Sequence, residues 1–114
     1  MKKEMSIRYK GKRISLMAEN CNLLHKFIGL MFSSREKAKI LLFESEIKGK
    51  ITIHSFFVFY PFIAIWLDDK NKIIDLKTVK PFSPYISHKK DACSLVEIPI
   101  NNHYSKIVKF FLRT

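Results

Sequence analysis

The sequence predicts a mainly β protein, a compact β-sandwich or barrel with one or two short helices. Residues 51–79 are dense in aromatic and β-branched side chains, which fit a pleated, buried sheet better than a helix. Short apolar runs elsewhere in the chain are bounded by turn signals. A length of 114 residues fits a single globular domain, residues 1–114, with enough apolar material for one core.

The N-terminal part predicts a hairpin followed by a helix. Lys10-Gly11-Lys12 is typical of a tight turn, which would join strands at residues 7–9 and 13–18. Asn20 or Asn22 is placed to cap a helix, because apolar residues then recur at i, i+4, i+7 and i+8. That apolar stripe consists of Leu23, Phe27, Leu30 and Met31.

The middle of the chain predicts the centre of the sheet. Residues 40–43 are an apolar run of strand length, and residues 44–50 form a charged loop. Residues 51–60 are mainly apolar on both alternating faces, which predicts a central strand covered on each side. Pro61 ends it, because proline cannot donate to a sheet ladder, and residues 62–67 begin a new strand.

The C-terminal part predicts further strands around a carboxylate. The expected elements are a hairpin loop (68–72), a helical turn (103–108) and three strands (73–79, 92–100 and 109–113). In the second of these strands Val96 and Ile98 share one side, and Glu97 lies on the other. A buried carboxylate must be paired or change its pKa, so Glu97 predicts either a structural ion pair or a binding role.

The charge predicts attraction to an anionic partner. The formal net charge is +11, from 21 Lys and Arg against 10 Asp and Glu. Such an excess favours non-specific contact with nucleic acid without defining a site, and it can equally reflect composition bias. Candidate nucleic-acid contacts lie in the N-terminal hairpin, before the strand at 92–100 and near the C-terminus: Lys10, Lys12, Arg13, Lys89, Lys90, Lys106, Lys109 and Arg113.

The cysteines and the apolar runs predict a cytoplasmic protein. Cys21 and Cys93 are far apart and form no CxxC motif, which is typical of reduced thiols in an intracellular protein. The first residues lack the apolar core of a signal peptide. The longest apolar stretch, residues 53–67, is shorter than the roughly 20 residues of a membrane helix, so no membrane partner is expected.

A succession of short motifs resembles a known family. The motifs are GLMF at 29–32, LLF at 41–43, IHSFFVFYP at 53–61, WLD at 66–68 and VEIP at 96–99. In this order they resemble the domain of unknown function 192 family, small β-rich proteins of bacteria and archaea, from about residue 14 to residue 111. The resemblance implies a compact β-sandwich or barrel and no established activity. Many members have an acid where this chain has Ile63, and often a late glycine and acid where it has Lys109 and Phe110.

No motif predicts a metal, a cofactor or a catalytic nucleophile. The four histidines lack paired ligand spacings, and nucleotide-binding and hydrolase motifs are absent from the sequence. His54 stands out because it interrupts a hydrophobic run; a core histidine with one hydrogen-bonded nitrogen is the simpler interpretation. Tyr60 and Trp66 should be buried, each with a partner for its polar atom.

Three hypotheses on function remain open. The first is a non-enzymatic module that binds a small molecule or a protein near His54, Tyr60, Lys80 and Glu97. The second is an RNA- or DNA-binding protein, which needs aromatic rings exposed beside its basic residues. The third is proton transfer between His54 and Glu97, which needs the two side chains within reach of one bridging water. The sequence does not predict an oligomeric state.

Overall fold

The fold is a single curled sheet of six strands, which confirms the mainly β class. The computed structural model describes residues 2–21, 30 and 33–112. The strands are β1 (Lys2–Tyr9), β2 (Lys12–Asn20), β3 (Leu41–Gly49), β4 (Phe62–Leu67), β5 (Ile73–Val79) and β6 (Ala92–Pro99). A 3-10 turn (Asn102–Tyr104) leads into helix α1 (Ser105–Leu112). The strand order is β1-β2-β3-β6-β4-β5, and all neighbours are antiparallel except β2 and β3.

The sheet curls until its two edge strands approach each other. Arg8 of β1 forms a bridge with Lys72, just before β5. All six strands contribute to one buried cluster, so that cluster fills the concave side. Helix α1 closes this core with Phe111 and with half-buried Ile107 and Val108, which lie on one face of the helix at helical spacing.

The first hairpin forms as the sequence predicts. Tyr9 pairs with Lys12, so only Lys10 and Gly11 lie in the turn. Their φ angles are 53° and 78°, the left-handed values that a type I′ turn requires at both central positions. The predicted strands at 62–67, 73–79 and 92–100 are likewise confirmed as β4, β5 and β6.

The predicted central strand at residues 51–60 is wrong. No residue of this segment belongs to a named strand, and the central positions of the sheet are held by β3, β6 and β4. The strand with both faces buried is β4 instead. Ile63, Ile65 and Leu67 enter the concave core, while Phe62, Ala64 and Trp66 enter a second cluster on the convex side.

Residues 51–61 form a layer over this convex cluster, together with residues 80–91. Ile53 and Ile86 exchange backbone hydrogen bonds of 2.9 and 2.8 Å between the two segments. The indole N–H of Trp66 donates to the Ile51 carbonyl at 2.8 Å, which confirms the partner expected for its polar atom. The Ile51 N–H donates to Nε2 of His88 at 2.9 Å. Hydrogen bonds thus join the two segments of the layer, and the indole of Trp66 ties the layer to the sheet.

Two other boundary predictions were wrong. Residues 44–50 are not a loop, since β3 continues to Gly49. Residues 109–113 do not form a closing strand, since α1 runs from Ser105 to Leu112. The predicted helix with Leu23, Phe27 and Met31 lies outside the described residues.

Candidate functional site

Five aromatic side chains lie open to solvent on the convex layer. They are Phe56, Phe57, Phe59, Phe82 and Tyr85, and are named here the aromatic platform. Phe59 is 63% exposed and Tyr85 is 72% exposed. Folded proteins seldom expose large apolar groups together unless the surface meets a partner. The platform is therefore the leading candidate for a contact surface.

The rings at the centre of the platform contact one another. The Phe82 ring meets Phe57 and Phe59 nearly edge-on, with centroid distances of 6.1 and 5.2 Å. The ring of Phe56 lies 5.3 Å from that of His54. Phe57, Phe59 and Phe82 thus form a contacting set of rings, and Phe56 pairs with the imidazole of His54.

A buried serine joins the two segments that carry the platform, residues 51–61 and 80–91, named here the platform segments. Ser55 is fully buried; its hydroxyl donates to the Lys80 carbonyl at 2.6 Å and accepts the Ser83 N–H at 2.6 Å. The Ser55 backbone N–H donates to the Ser83 carbonyl at 2.8 Å, and the Phe82 N–H donates to the Ser55 carbonyl at 2.9 Å. These bonds hold the backbone next to Phe56 and Phe57 against the backbone at Phe82.

Two platform residues have left-handed backbones. The φ angle is 60° at Phe57 and 59° at Phe82. For residues with a Cβ atom this conformation costs about 1–2 kcal/mol, so Gly or Asn at either position would have less backbone strain. Strain of this kind persists where the surrounding structure enforces it, and such positions cluster at functional sites.

The four residues of the predicted ligand site divide into two environments. His54 and Lys80 are exposed on the platform segments, whereas Tyr60 and Glu97 are buried. The Nδ1 atom of His54 accepts the Phe56 N–H at 3.2 Å, so His54 is a surface residue and not a core histidine. No hydrogen bond joins His54 to Glu97 among the described residues, and nothing in the described geometry supports a proton-transfer pair.

Glu97 lies in an apolar part of the convex cluster. It is 6% exposed and pairs across the sheet with Leu41 and Ala64. Burial raises the pKa of its carboxyl to about 8. Burial, reinforced by the charge of Glu97, also raises the pKa of the Cys21 thiol to about 11. A thiol with so high a pKa is a poor nucleophile at neutral pH.

Tyr60 has the hydroxyl partner that its burial requires. Its phenol oxygen lies within hydrogen-bond distance of the Ser33 hydroxyl, which itself bonds to the Leu30 carbonyl at 2.6 Å. Burial raises the pKa of the Tyr60 phenol, and Glu97 adds to that effect. Tyr60 and Glu97 are thus close enough to interact electrostatically beneath the surface, away from the exposed rings.

The basic residues of the nucleic-acid hypothesis lie on three separate elements. Exposed Lys10, Lys12 and Arg13 belong to the β1–β2 hairpin. Exposed Lys89 and Lys90 precede β6, exposed Lys106 and Lys109 belong to α1, and Arg113 lies outside the described residues. Only the pair before β6 shares a segment with platform residues.

A cleft of about 460 Å³ lies beside α1 and contains none of the predicted ligand-site residues. Its lining combines cationic, acidic and apolar side chains: Lys2, Met17, Glu19, Glu36, Lys37, Ala38, Lys39, Ile40, His103, Tyr104 and Ile107. The residues come from four distant parts of the sequence, so no local pattern could indicate the cleft. Among the described residues no group of three His, Cys, Asp or Glu side chains could hold a metal ion. No helix within the described ranges is long and apolar enough to cross a membrane.

Comparison with known proteins finds relatives in an uncharacterised conserved family. No family model matches the chain. A UPF0127 protein of Thermococcus kodakarensis is 32% identical over 78 residues, which are 68% of this chain and 49% of that protein. A UPF0127 protein of Pyrococcus furiosus is 29% identical over 91 residues, 79% of this chain and 78% of the relative. The chain therefore matches about half the length of the first relative.

Two solved structures share the fold. A proposed transcription regulator from Sinorhizobium meliloti has a TM-score of 0.76 at 16% identity, covering 95% of this chain and 87% of its own. A protein of unknown function from Novosphingobium aromaticivorans has a TM-score of 0.74 at 13% identity, covering 92% and 77%. At such identities the likeness concerns the fold alone.

Proposed function

We propose that the protein is a non-enzymatic binding module that holds its partner on the aromatic platform. We also propose that it is a member of the UPF0127 family, and that the resemblance to the domain of unknown function 192 family describes the same group. The relatives support the family assignment. The exposed rings support the binding role.

The single observation that supports the binding role is the backbone strain at two residues whose rings are exposed. Phe57 and Phe82 keep left-handed backbones although a smaller residue would avoid the strain. The hydroxyl of the fully buried Ser55 forms hydrogen bonds that join the same two segments. Both rings still leave nearly half of their surface in contact with water, and a contact surface accounts for that exposed apolar area.

A rigid apolar surface is also well suited to binding. Fixing a contact residue on association costs free energy, and a surface that is already fixed avoids much of that cost. Aromatic residues dominate the energetics of interfaces because each ring offers a large area with few rotatable bonds. In this proposal His54, beside the Phe56 ring, and exposed Lys80 supply polar groups to the binding site.

Site-specific photocrosslinking tests this role with any partner that contacts the rings. Benzoylphenylalanine is placed at Phe59 and, as a control, at Ile47, which is 79% exposed but lies in β3 away from the platform segments. We expect one reproducible adduct at position 59, its loss when Phe82→Asn is added, and no such adduct at position 47. Equal labelling at both positions, or no adduct at position 59, would overturn the proposal.

A further inference from the structure

We infer that the partner held on the platform is a single-stranded nucleic acid. This inference rests on the proposed binding role. The first support is the charge of the two platform segments. Residues 51–61 and 80–91 contain three Lys and one acid, Asp91 at the entry to β6, and a fourth lysine, Lys50, directly precedes the first segment. Apolar rings among cationic groups are complementary to a partner that combines flat apolar groups with negative charge.

Three of these lysines are available to a partner. Lys80, Lys89 and Lys90 are exposed and form no ion pair with any described residue. Lys50 differs, because its ammonium group donates to the carbonyls of His88 and Lys89 and so braces the segment. The three exposed lysines therefore add charge to the binding surface, while Lys50 supports its backbone.

The cations extend from the rings along a strip. Val79, the residue before the second platform segment, and Pro99, at the end of β6, both pair with Phe62. Ala92, the residue after the segment, lies at the opposite end of β6, so the segment spans roughly 23 Å at about 3.3 Å per residue. Lys80 thus lies near the rings, and Lys89 and Lys90 lie toward the far end. A strip of this kind fits a row of phosphates, whereas a flat membrane surface favours cations grouped around the inserted rings.

Unstacked bases suit the exposed rings. Successive bases of a single strand stack on aromatic side chains, and this contact tolerates different base identities. Duplex bases are already stacked on each other and offer no free face to Phe59 or Tyr85. A second copy of this chain fits poorly, because two cationic surfaces on proteins of net charge +11 would repel each other.

Fluorescence anisotropy with a labelled oligouridine of about twelve nucleotides tests the inference at about 50 mM salt. We expect Phe59→Ala to weaken binding at least about fivefold, since stacking is worth about 1–3 kcal/mol per base. Phe59→Tyr should retain binding because it keeps the ring, and Ile47→Ala should bind as the wild type does. A plot of the logarithm of the binding constant against the logarithm of the salt concentration should be less steep by about 1.4 for the Lys89→Ala/Lys90→Ala double variant.

The dependence on the ring decides the outcome, because a protein this basic attracts any polyanion to some degree. Wild-type protein that ignores the oligouridine, or Phe59→Ala protein that binds it unchanged, would overturn the inference. Vesicles of anionic phospholipid are the second probe. If the vesicles bind in a Phe59-dependent manner and the oligouridine does not, the inference fails and the binding role stands. Thermal unfolding confirms that each variant is folded.

Discussion

The rings of Phe57 and Phe82 meet at 70°, and both residues have left-handed backbones on two segments that are far apart in sequence. Neither residue gains a buried environment from this conformation, since both side chains remain exposed. Between them Ser55 links the segments through its hydroxyl and its backbone. The bonds of Ser55 and the contact between the two rings lead to the predictions that follow.

Strain at Phe57 should appear as an unusual order of stability among variants. Asn tolerates a left-handed backbone and Val does not, so Phe57→Asn should be more stable than Phe57→Val by about 1 kcal/mol. Phe59 has no positive φ, and there Val should be at least as stable as Asn. Urea unfolding of the four variants measures both differences. The same order at both positions would show that Phe57 is not strained.

Removal of the Ser55 hydroxyl should loosen the platform. Ser55→Ala leaves the half-buried Ser83 N–H without its acceptor and should cost about 2 kcal/mol of unfolding free energy. Ser83→Ala is the matched control, because its partly exposed hydroxyl makes only one described bond, to the Lys80 carbonyl at 2.9 Å. That change should cost less than about 1 kcal/mol. Equal costs in urea unfolding would remove the special role of Ser55.

Glu97 should make the protein less stable as the pH rises. Its pKa is raised from 4.5 to about 8 in the folded state, so the folded protein binds more protons than the unfolded chain between these values. Stability is then greatest below about pH 4.5 for this group and falls until about pH 8, by up to several kcal/mol. Glu97→Gln should flatten this dependence and stabilise the protein most at pH 9, as measured by urea unfolding. An unchanged pH profile would contradict the buried, protonated carboxyl.

The two cysteines should differ in reactivity. Cys21 is buried with a pKa raised to about 11, whereas Cys93 is half-buried. Iodoacetamide at pH 8 should therefore alkylate Cys93 first, and Cys21 only on unfolding. Mass spectrometry of peptides from native and urea-treated protein measures this order. Early modification of Cys21 in the native protein would show that its environment is open.

The sequence predicted the sheet better than the surface. The apolar run after Pro61 located β4, the hairpin-length loop at 68–72 located β5, and alternation located β6 with Glu97 opposite Val96 and Ile98. The same pattern failed at residues 51–60, since it registers which residues are apolar and not which are covered. Ile51, Ile53 and Val58 of that segment pack inward, while three phenylalanines face solvent.

The candidate site was predicted only in part. His54 and Lys80 were identified, and both lie on the platform segments. The rings of Phe56 and Phe57 were assigned to the core, since aromatic residues usually owe their position to burial. Ser55 gave no signal, because its role depends on Lys80 and Ser83, which follow it by 25 and 28 residues.

Fluorine NMR of protein labelled with fluorophenylalanine tests the aromatic platform most directly. In the free protein a soluble paramagnetic reagent should broaden the signals of Phe57, Phe59 and Phe82, and leave those of Phe62 and Phe111 sharp. Addition of the partner found by crosslinking should then protect the three platform signals. Platform signals as protected as that of Phe62 in the free protein, or unchanged when the partner is added, would contradict the account.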